Sequence, residues 1–101
     1  MTIVSQESRD NNEVEIRING RFDFSTHKDF RGAFESVDAK SVEFVINLQD
    51  TEYMDSSALG MLLLLRERAG GDKARIKLTN CNSQIRQILE VSHFDELFSI
   101  Q

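Results

Sequence analysis

The chain has 101 residues, 40% of them hydrophobic and 29% charged, and its formal net charge is −5. This length fits one domain, and the balance of apolar and charged residues is that of a soluble globular protein rather than a disordered one. The acidic charge argues against nucleic acid and against an anionic membrane surface as partners, because both require a basic footprint. We therefore expect residues 1–101 to form a single domain that binds neither.

Cysteine usage and apolar run lengths favour a cytoplasmic location. Cys81 is the only cysteine, so an internal disulfide is excluded, as is usual in a reducing compartment. The first residues lack the basic region and the apolar core of a signal peptide. The longest apolar stretch, residues 58–65, is interrupted by Gly60 and is far too short to span a bilayer.

The first part of the chain has the pattern of a β-hairpin. Residues 2–7 alternate weakly, and Val14, Ile16 and Ile18 alternate with polar residues, as in a half-buried strand. Residues 10–12, Asp-Asn-Asn, are a turn signal between the two strands.

The pattern then changes to helical spacing and back to a strand. Ser25 or Thr26 could cap a first helix over residues 26–37, in which Phe30 and Phe34 lie on one face. Residues 42–48 are apolar and rich in β-branched side chains, which predicts a buried strand.

The remaining segments continue this alternation. They are a helix over residues 57–69, a strand over 75–79, a third helix capped by Asn80 or Asn82, and a helical turn or an edge strand over 95–100. The order predicts an α/β sandwich. Its sheet is mixed but mainly parallel, has four to five strands, begins with the antiparallel hairpin, and packs against three to four helices.

The segment that carries chemistry is residues 45–60, in which a buried strand ends, a polar loop follows and a helix begins at two serines. Ser56 falls at the helix N-terminus, where free backbone amides and the helix dipole favour negative charge. A phosphate there would add about −1.5 to −2 charge units. Asp and Ser at a helix start are also ordinary caps, which contribute about 1 kcal/mol, so the residues alone leave both interpretations open.

Gly60 is unexpected inside this helix, because glycine there costs about 1 kcal/mol relative to alanine. Its presence suggests that another backbone or a partner comes close at this point.

Two motifs resemble the STAS family of anti-sigma factor antagonists. Residues 55–60, Asp-Ser-Ser-Ala-Leu-Gly, are similar to the family signature Asp-Ser-Ser/Thr-Gly-Leu/Ile-Gly. Residues 20–23, Gly-Arg-Phe-Asp, resemble the family's Gly-x-Leu/Phe-Asp after the second strand. The order of elements also matches the STAS fold across nearly the whole chain.

The resemblance implies a switch protein that is not an enzyme and needs no cofactor. In the family, the first serine of the motif is phosphorylated by an anti-sigma factor or serine kinase of the ATP-binding anti-sigma type. The unphosphorylated form binds and neutralises that partner, and a serine phosphatase of the PP2C type resets the switch. By position in the motif Ser56 is the phosphosite, with Ser57 as the alternative. Asp55 and Ser57 flank Ser56, and Asp23 lies in a loop that neighbours the same surface.

The sequence departs from the family pattern at two positions. Asn47 stands where the family commonly has Asp, which removes one carboxylate near the site. Ala58 replaces the usual glycine and favours the helix.

Helical periodicity predicts a docking patch next to the serines. The residues assigned to the core face are Ala58, Leu59, Leu62, Leu63, Leu65 and Ala69. Met61 and Leu64 fall toward the other side, on a stripe with Ser57 and Arg68. A phosphate could disrupt an exposed apolar patch there. The alternative is that the helix is buried nearly all round.

Other chemistries lack their required residues. His27, His93 and Cys81 have no metal-ligand spacing, so no metal site is expected. A Gly-x-Ser-x-Gly motif and a Walker-type phosphate loop are both absent. Asp55 as a phospho-accepting aspartate would need an acidic pair at an earlier strand end. The remaining alternative is a phosphorylation-independent STAS accessory subunit of a transporter or of another signalling assembly.

Overall fold

The structure is a computed structural model that describes residues 3–8, 12–35 and 37–101. The strands are β1 Ile3–Ser8, β2 Glu13–Ile18, β3 Gly20–Phe22, β4 Glu43–Asn47, β5 Thr51–Met54, β6 Ile76–Thr79 and β7 Ser99–Ile100. The α-helices are α1 His27–Glu35, α2 Ser56–Arg68 and α3 Ser83–Val91. Short 3-10 turns cover Phe24–Thr26, Gly71–Lys73 and Phe94–Glu96.

Five of these strands form one mixed sheet in the order β1-β2-β4-β6-β7. β1 and β2 pair antiparallel, whereas each further pairing is parallel. This arrangement confirms the predicted α/β sandwich with an initial hairpin. The predicted turn residues Asp10 and Asn11 lie outside the described residues.

The core lies between this sheet and the helices. Alternate side chains of the central strands point into it, as the period-two pattern of β2 predicts. The buried strand residues include Val14, Ile16, Ile18, Phe44, Ile46, Ile76 and Leu78. The helices contribute Phe30, Phe34, Ala58, Leu62, Leu65, Ile85 and Leu89 to the same cluster.

Residues 51–54 form strand β5 instead of the polar loop that the sequence pattern predicts. β5 pairs in parallel with β3, in a two-stranded sheet separate from the main one. Its side chains do not alternate, since Thr51 and Met54 are buried and the two between them are exposed. The strand therefore depends on pairing with a segment about thirty residues away, which local periodicity does not encode.

Helix α1 begins one residue later than predicted and is preceded by a capped turn. The cap is Asp23, whose carboxylate accepts a hydrogen bond from the Ser25 amide at 3.0 Å. The prediction of Ser25 or Thr26 as the cap was wrong, because both hydroxyls donate back to Asp23. For α3 the structure selects Asn82 of the two candidates, since its side chain accepts from the Ile85 amide at 2.8 Å.

Candidate functional site

Parallel pairing of β3 with β5 brings the two motifs of the sequence together. Phe22 lies opposite Met54, and the Asp55 amide donates to the Phe22 carbonyl at 3.4 Å. Asp23 and Asp55 follow these residues directly, at the ends of the two strands. They are close enough for the negative charge of Asp23 to oppose the ionisation of Asp55. The Asp23 loop and the start of α2 therefore form one surface.

Asp55 is the N-cap of α2. Its Oδ1 accepts hydrogen bonds from the Ala58 amide at 3.0 Å and from the Ser57 hydroxyl at 2.6 Å. The hydrogen bond from Ser57 is the main cause that lowers the pKa of Asp55, and the backbone amides add to it against some desolvation. The carboxylate is thus ionised at neutral pH and internally hydrogen-bonded.

Asp23 is held in a similar way by its own neighbours. Ser25 donates to Oδ1 through both its hydroxyl and its amide, and Arg21 Nε donates to Oδ2 at 3.0 Å. The side-chain hydrogen bonds from Ser25 and then Arg21 lower the pKa of Asp23. The Arg21 guanidinium also lies 4.3 Å from the centre of the Tyr53 ring.

The two serines of the motif differ in accessibility. Ser57 is half-buried, and its hydroxyl is engaged by Asp55. Ser56 is the first residue of α2 and is exposed, and within the described part of the chain its hydroxyl has no hydrogen-bond partner. An enzyme would therefore meet a free hydroxyl at position 56 and a bonded one at position 57.

The exposed side of α2 differs from the prediction at two residues, Met61 and Leu63. Met61 is only 3% exposed, whereas Leu63, assigned to the core face, is 42% exposed. Met61 stands three residues after Ala58 and four before Leu65, so it shares their buried face. Met61 is therefore excluded from a docking patch. The exposed apolar residues of α2 are Leu63 and Leu64.

Gly60 lies on the exposed side of α2. A Cβ added there would have no heavy atom within 4 Å, so packing against the described residues does not require glycine. The predicted close approach of another backbone is not made within this part of the chain.

Asn47, at the end of β4, hydrogen-bonds to β2 and to the segment that follows β6, and within the described residues none of its hydrogen bonds reaches α2. It is 8% exposed, and its Nδ2 donates to Glu15 Oε2 at 3.2 Å. Its Oδ1 accepts from the Gln49 amide at 3.0 Å and from Asn80 Nδ2 at 3.2 Å. An aspartate here would face the Glu15 carboxylate, which explains why this chain uses an amide.

Neither a metal site nor a membrane span is seen in the described parts of the chain. Within residues 3–8, 12–35 and 37–101, no three His, Cys, Asp or Glu side chains gather as metal ligands would. Burial raises the pKa of the Cys81 thiol, which disfavours the nucleophilic thiolate. No helix formed by these residues has the length and apolar character needed to cross a bilayer.

Sequence reasoning missed one residue at this surface, Phe24. It is 75% exposed, although Phe22, two positions earlier, is fully buried. The signal was Asp23, because an Asp directly after a strand often caps a helical turn and ends the alternation.

Comparisons with known proteins agree with this fold. Residues 5–99 match the family described as Mlab, STAS domain. A STAS-domain containing protein of Pseudomonas aeruginosa (strain UCBPP-PA14) is 50% identical over 100 residues, which cover 99% of this chain and 99% of the relative. The chain therefore belongs to the STAS-domain family.

Solved structures of anti-sigma factor antagonists share the fold at lower identity. The antagonist from Mycobacterium paratuberculosis is 20% identical and superposes with a TM-score of 0.81, covering 98% of this chain and 83% of its own. The Bacillus cell fate determinant SpoIIAA in its phosphorylated form is 19% identical, with a TM-score of 0.73 over 98% of this chain and 90% of its own.

Proposed function

We propose that this chain is a phosphorylation-controlled anti-sigma factor antagonist. The unphosphorylated form binds an anti-sigma factor or a serine kinase of the ATP-binding anti-sigma type. Phosphorylation of Ser56 releases that partner, and a PP2C-type serine phosphatase restores binding. The chain itself is a binding protein and catalyses no reaction.

The observation that carries this proposal is the state of the Ser56 hydroxyl. It is exposed at the first position of α2, and no hydrogen bond within the described residues engages it. Its neighbour Ser57 donates to Asp55 at 2.6 Å and would have to give up that bond to be phosphorylated. This difference favours Ser56 over Ser57 as the phosphosite.

A phosphate at this position changes the surface more than the fold. The free amides and the dipole of α2 stabilise a phosphate at the helix start, so the helix stays formed. The new charge of about −2 stands beside the carboxylates of Asp55 and Asp23. A surface that docks in its unphosphorylated form thus acquires a strongly hydrated dianion, whose desolvation opposes docking.

The descriptions of the structural neighbours support this role. Several structural neighbours are anti-sigma factor antagonists, and SpoIIAA is known in a phosphorylated form. The present chain carries the serine motif of that class at residues 55–60.

Binding affinity of charge variants tests the proposal. The partner is captured with the Ser56→Ala chain as bait, purified, and titrated against each variant by calorimetry. We expect Ser56→Ala to bind like the unphosphorylated chain, and Ser56→Asp to bind about 30-fold more weakly, a loss on the order of 2 kcal/mol.

Ser83 supplies the matched control, because it is also an exposed serine at the first position of a helix. Ser83→Asp should bind like the unchanged chain. Equal affinities for Ser56→Ala and Ser56→Asp would refute the switch.

A kinase assay with the same purified partner identifies the phosphosite. Mass spectrometry of phosphopeptides covering residues 53–66 separates Ser56 from Ser57. Stable binding without any phosphate transfer would instead indicate the accessory subunit.

A further inference from the structure

We propose that Phe24 is the aromatic anchor of the partner interface, and that the partner receives it in an apolar pocket. This inference rests on the proposed function, because it concerns the partner that docks at Ser56. It adds a contact residue and defines the chemistry of the partner's surface.

The exposure of Phe24 is the first observation. Its side chain is 75% exposed, more than any other large apolar residue in the described part of the chain. A phenylalanine in water forgoes a burial free energy that a core or an interface would supply. Phenylalanine is enriched at protein–protein interfaces, and an aromatic side chain that fills a pocket on a partner can carry much of the binding energy.

The turn that carries Phe24 is rigid. Asp23 binds both Ser25 and Arg21 through its carboxylate. The Asp23 carbonyl accepts hydrogen bonds from the amide and from the hydroxyl of buried Thr26, at 3.0 and 2.7 Å. The Phe24 ring stacks on His27 at a centroid distance of 5.8 Å and an interplanar angle of 8°. An anchor held this way loses little conformational entropy on binding.

Phe24 also belongs to the surface around Ser56. Its turn follows β3, which pairs with the strand that leads into α2. Four of the seven exposed large apolar side chains in the described residues lie on these linked segments: Phe24, Tyr53, Leu63 and Leu64. Four of these seven exposed side chains therefore lie on the segments that are linked to the start of α2.

The hydrogen bonds of the carboxylates define what the partner supplies. Asp23 is satisfied by Arg21 and Ser25, and Asp55 by Ser57 and Ala58. Both carboxylates are thus satisfied within the chain, and the partner need not pair with them. The exposed Phe24 ring beside them is the group that gains free energy from burial, so the partner receives it in an apolar pocket.

Calorimetric titration of Phe24→Ala against the purified partner tests the inference. We expect binding about 30-fold weaker than for the unchanged chain, the effect of removing a central aromatic contact. Because Phe24 is exposed, the melting temperature of the free variant should stay unchanged. Phe24→Leu should recover part of the affinity.

Val91 provides the matched control, since it is 73% exposed on α3 and is absent from this surface. Val91→Ala should bind like the unchanged chain. If Phe24→Ala keeps full affinity while Ser56→Asp loses it, the anchor is wrong and the switch stands. If Ser56→Asp also keeps full affinity, the proposed function fails as well. Tighter binding by Ser56→Asp would also overturn the proposed switch.

Discussion

Helices α2 and α3 begin in nearly the same way, yet their surroundings differ. Each follows a strand and an extended capping residue, Asp55 or Asn82. Each cap accepts from an amide three residues on, at 3.0 and 2.8 Å, and each helix then starts with an exposed serine. A capped serine at a helix start is therefore common to both helices and does not by itself single out Ser56.

The difference lies in what each helix start is bonded to. Asn82 donates to the Thr51 carbonyl at 3.2 Å, and Asn80 donates to Asn47 at 3.2 Å, so the start of α3 is tied to the sheet. The start of α2 is bordered by the Asp23 turn and by exposed apolar residues. The side chains at the start of α3 thus bond across to the sheet, whereas the Asp55 carboxylate bonds within its own helix and only its amide reaches β3, at 3.4 Å from the Phe22 carbonyl.

The largest expected effect on stability comes from Asn47→Asp. The new carboxylate would face Glu15 and lose the hydrogen bond that Nδ2 now donates, which should lower the free energy of unfolding by about 2 kcal/mol. Urea unfolding at neutral pH measures the loss. Adding Glu15→Gln should restore most of it, because glutamine can donate to the aspartate. Failure of that rescue would show that the repulsion from Glu15 is not the cause.

Asp55→Ala should have a smaller effect that depends on pH. Loss of the cap should cost about 1 kcal/mol at neutral pH. Because folding lowers the pKa of Asp55, its ionic contribution is complete above the unfolded value of about 4 and is lost as pH falls through the lower folded value. The difference between Asp55→Ala and the unchanged chain should thus shrink in acid.

Asn82→Ala is the control for this titration, since an amide cap does not ionise. Its cost should stay constant over the same pH range in urea unfolding. A parallel decline for both variants would assign the pH effect to other groups.

Gly60→Ala should raise stability while weakening partner binding. Helix propensity favours alanine by up to about 1 kcal/mol, and the added Cβ meets nothing within 4 Å. Gly32 in α1 has the same free space, so Gly32→Ala should give a similar stabilisation with unchanged affinity. Full affinity of Gly60→Ala would mean that the partner does not approach this backbone.

Sequence periodicity was sufficient for elements that have one clear apolar face. The alternation of β2 and the apolar run of β4 gave strands close to their observed bounds. Periodicity did not predict the buried face of α2, because apolar residues occur nearly all round that helix and no one side is clearly the most apolar. Met61 and Leu63 were assigned to the wrong faces for this reason.

The sequence by itself determined the α/β order of elements and the capped start of α2, and its resemblance to the STAS family made Ser56 the candidate phosphosite. Each depends on residue types and spacings that act within a few positions of the chain. The tertiary structure decided the strand β5, the partners of Asn47, the burial of Met61 and the exposure of Phe24. Each of these features depends on contacts with segments that are distant in the sequence, which bury a side chain, hydrogen-bond to it or leave it exposed to solvent. The local sequence pattern does not contain that information.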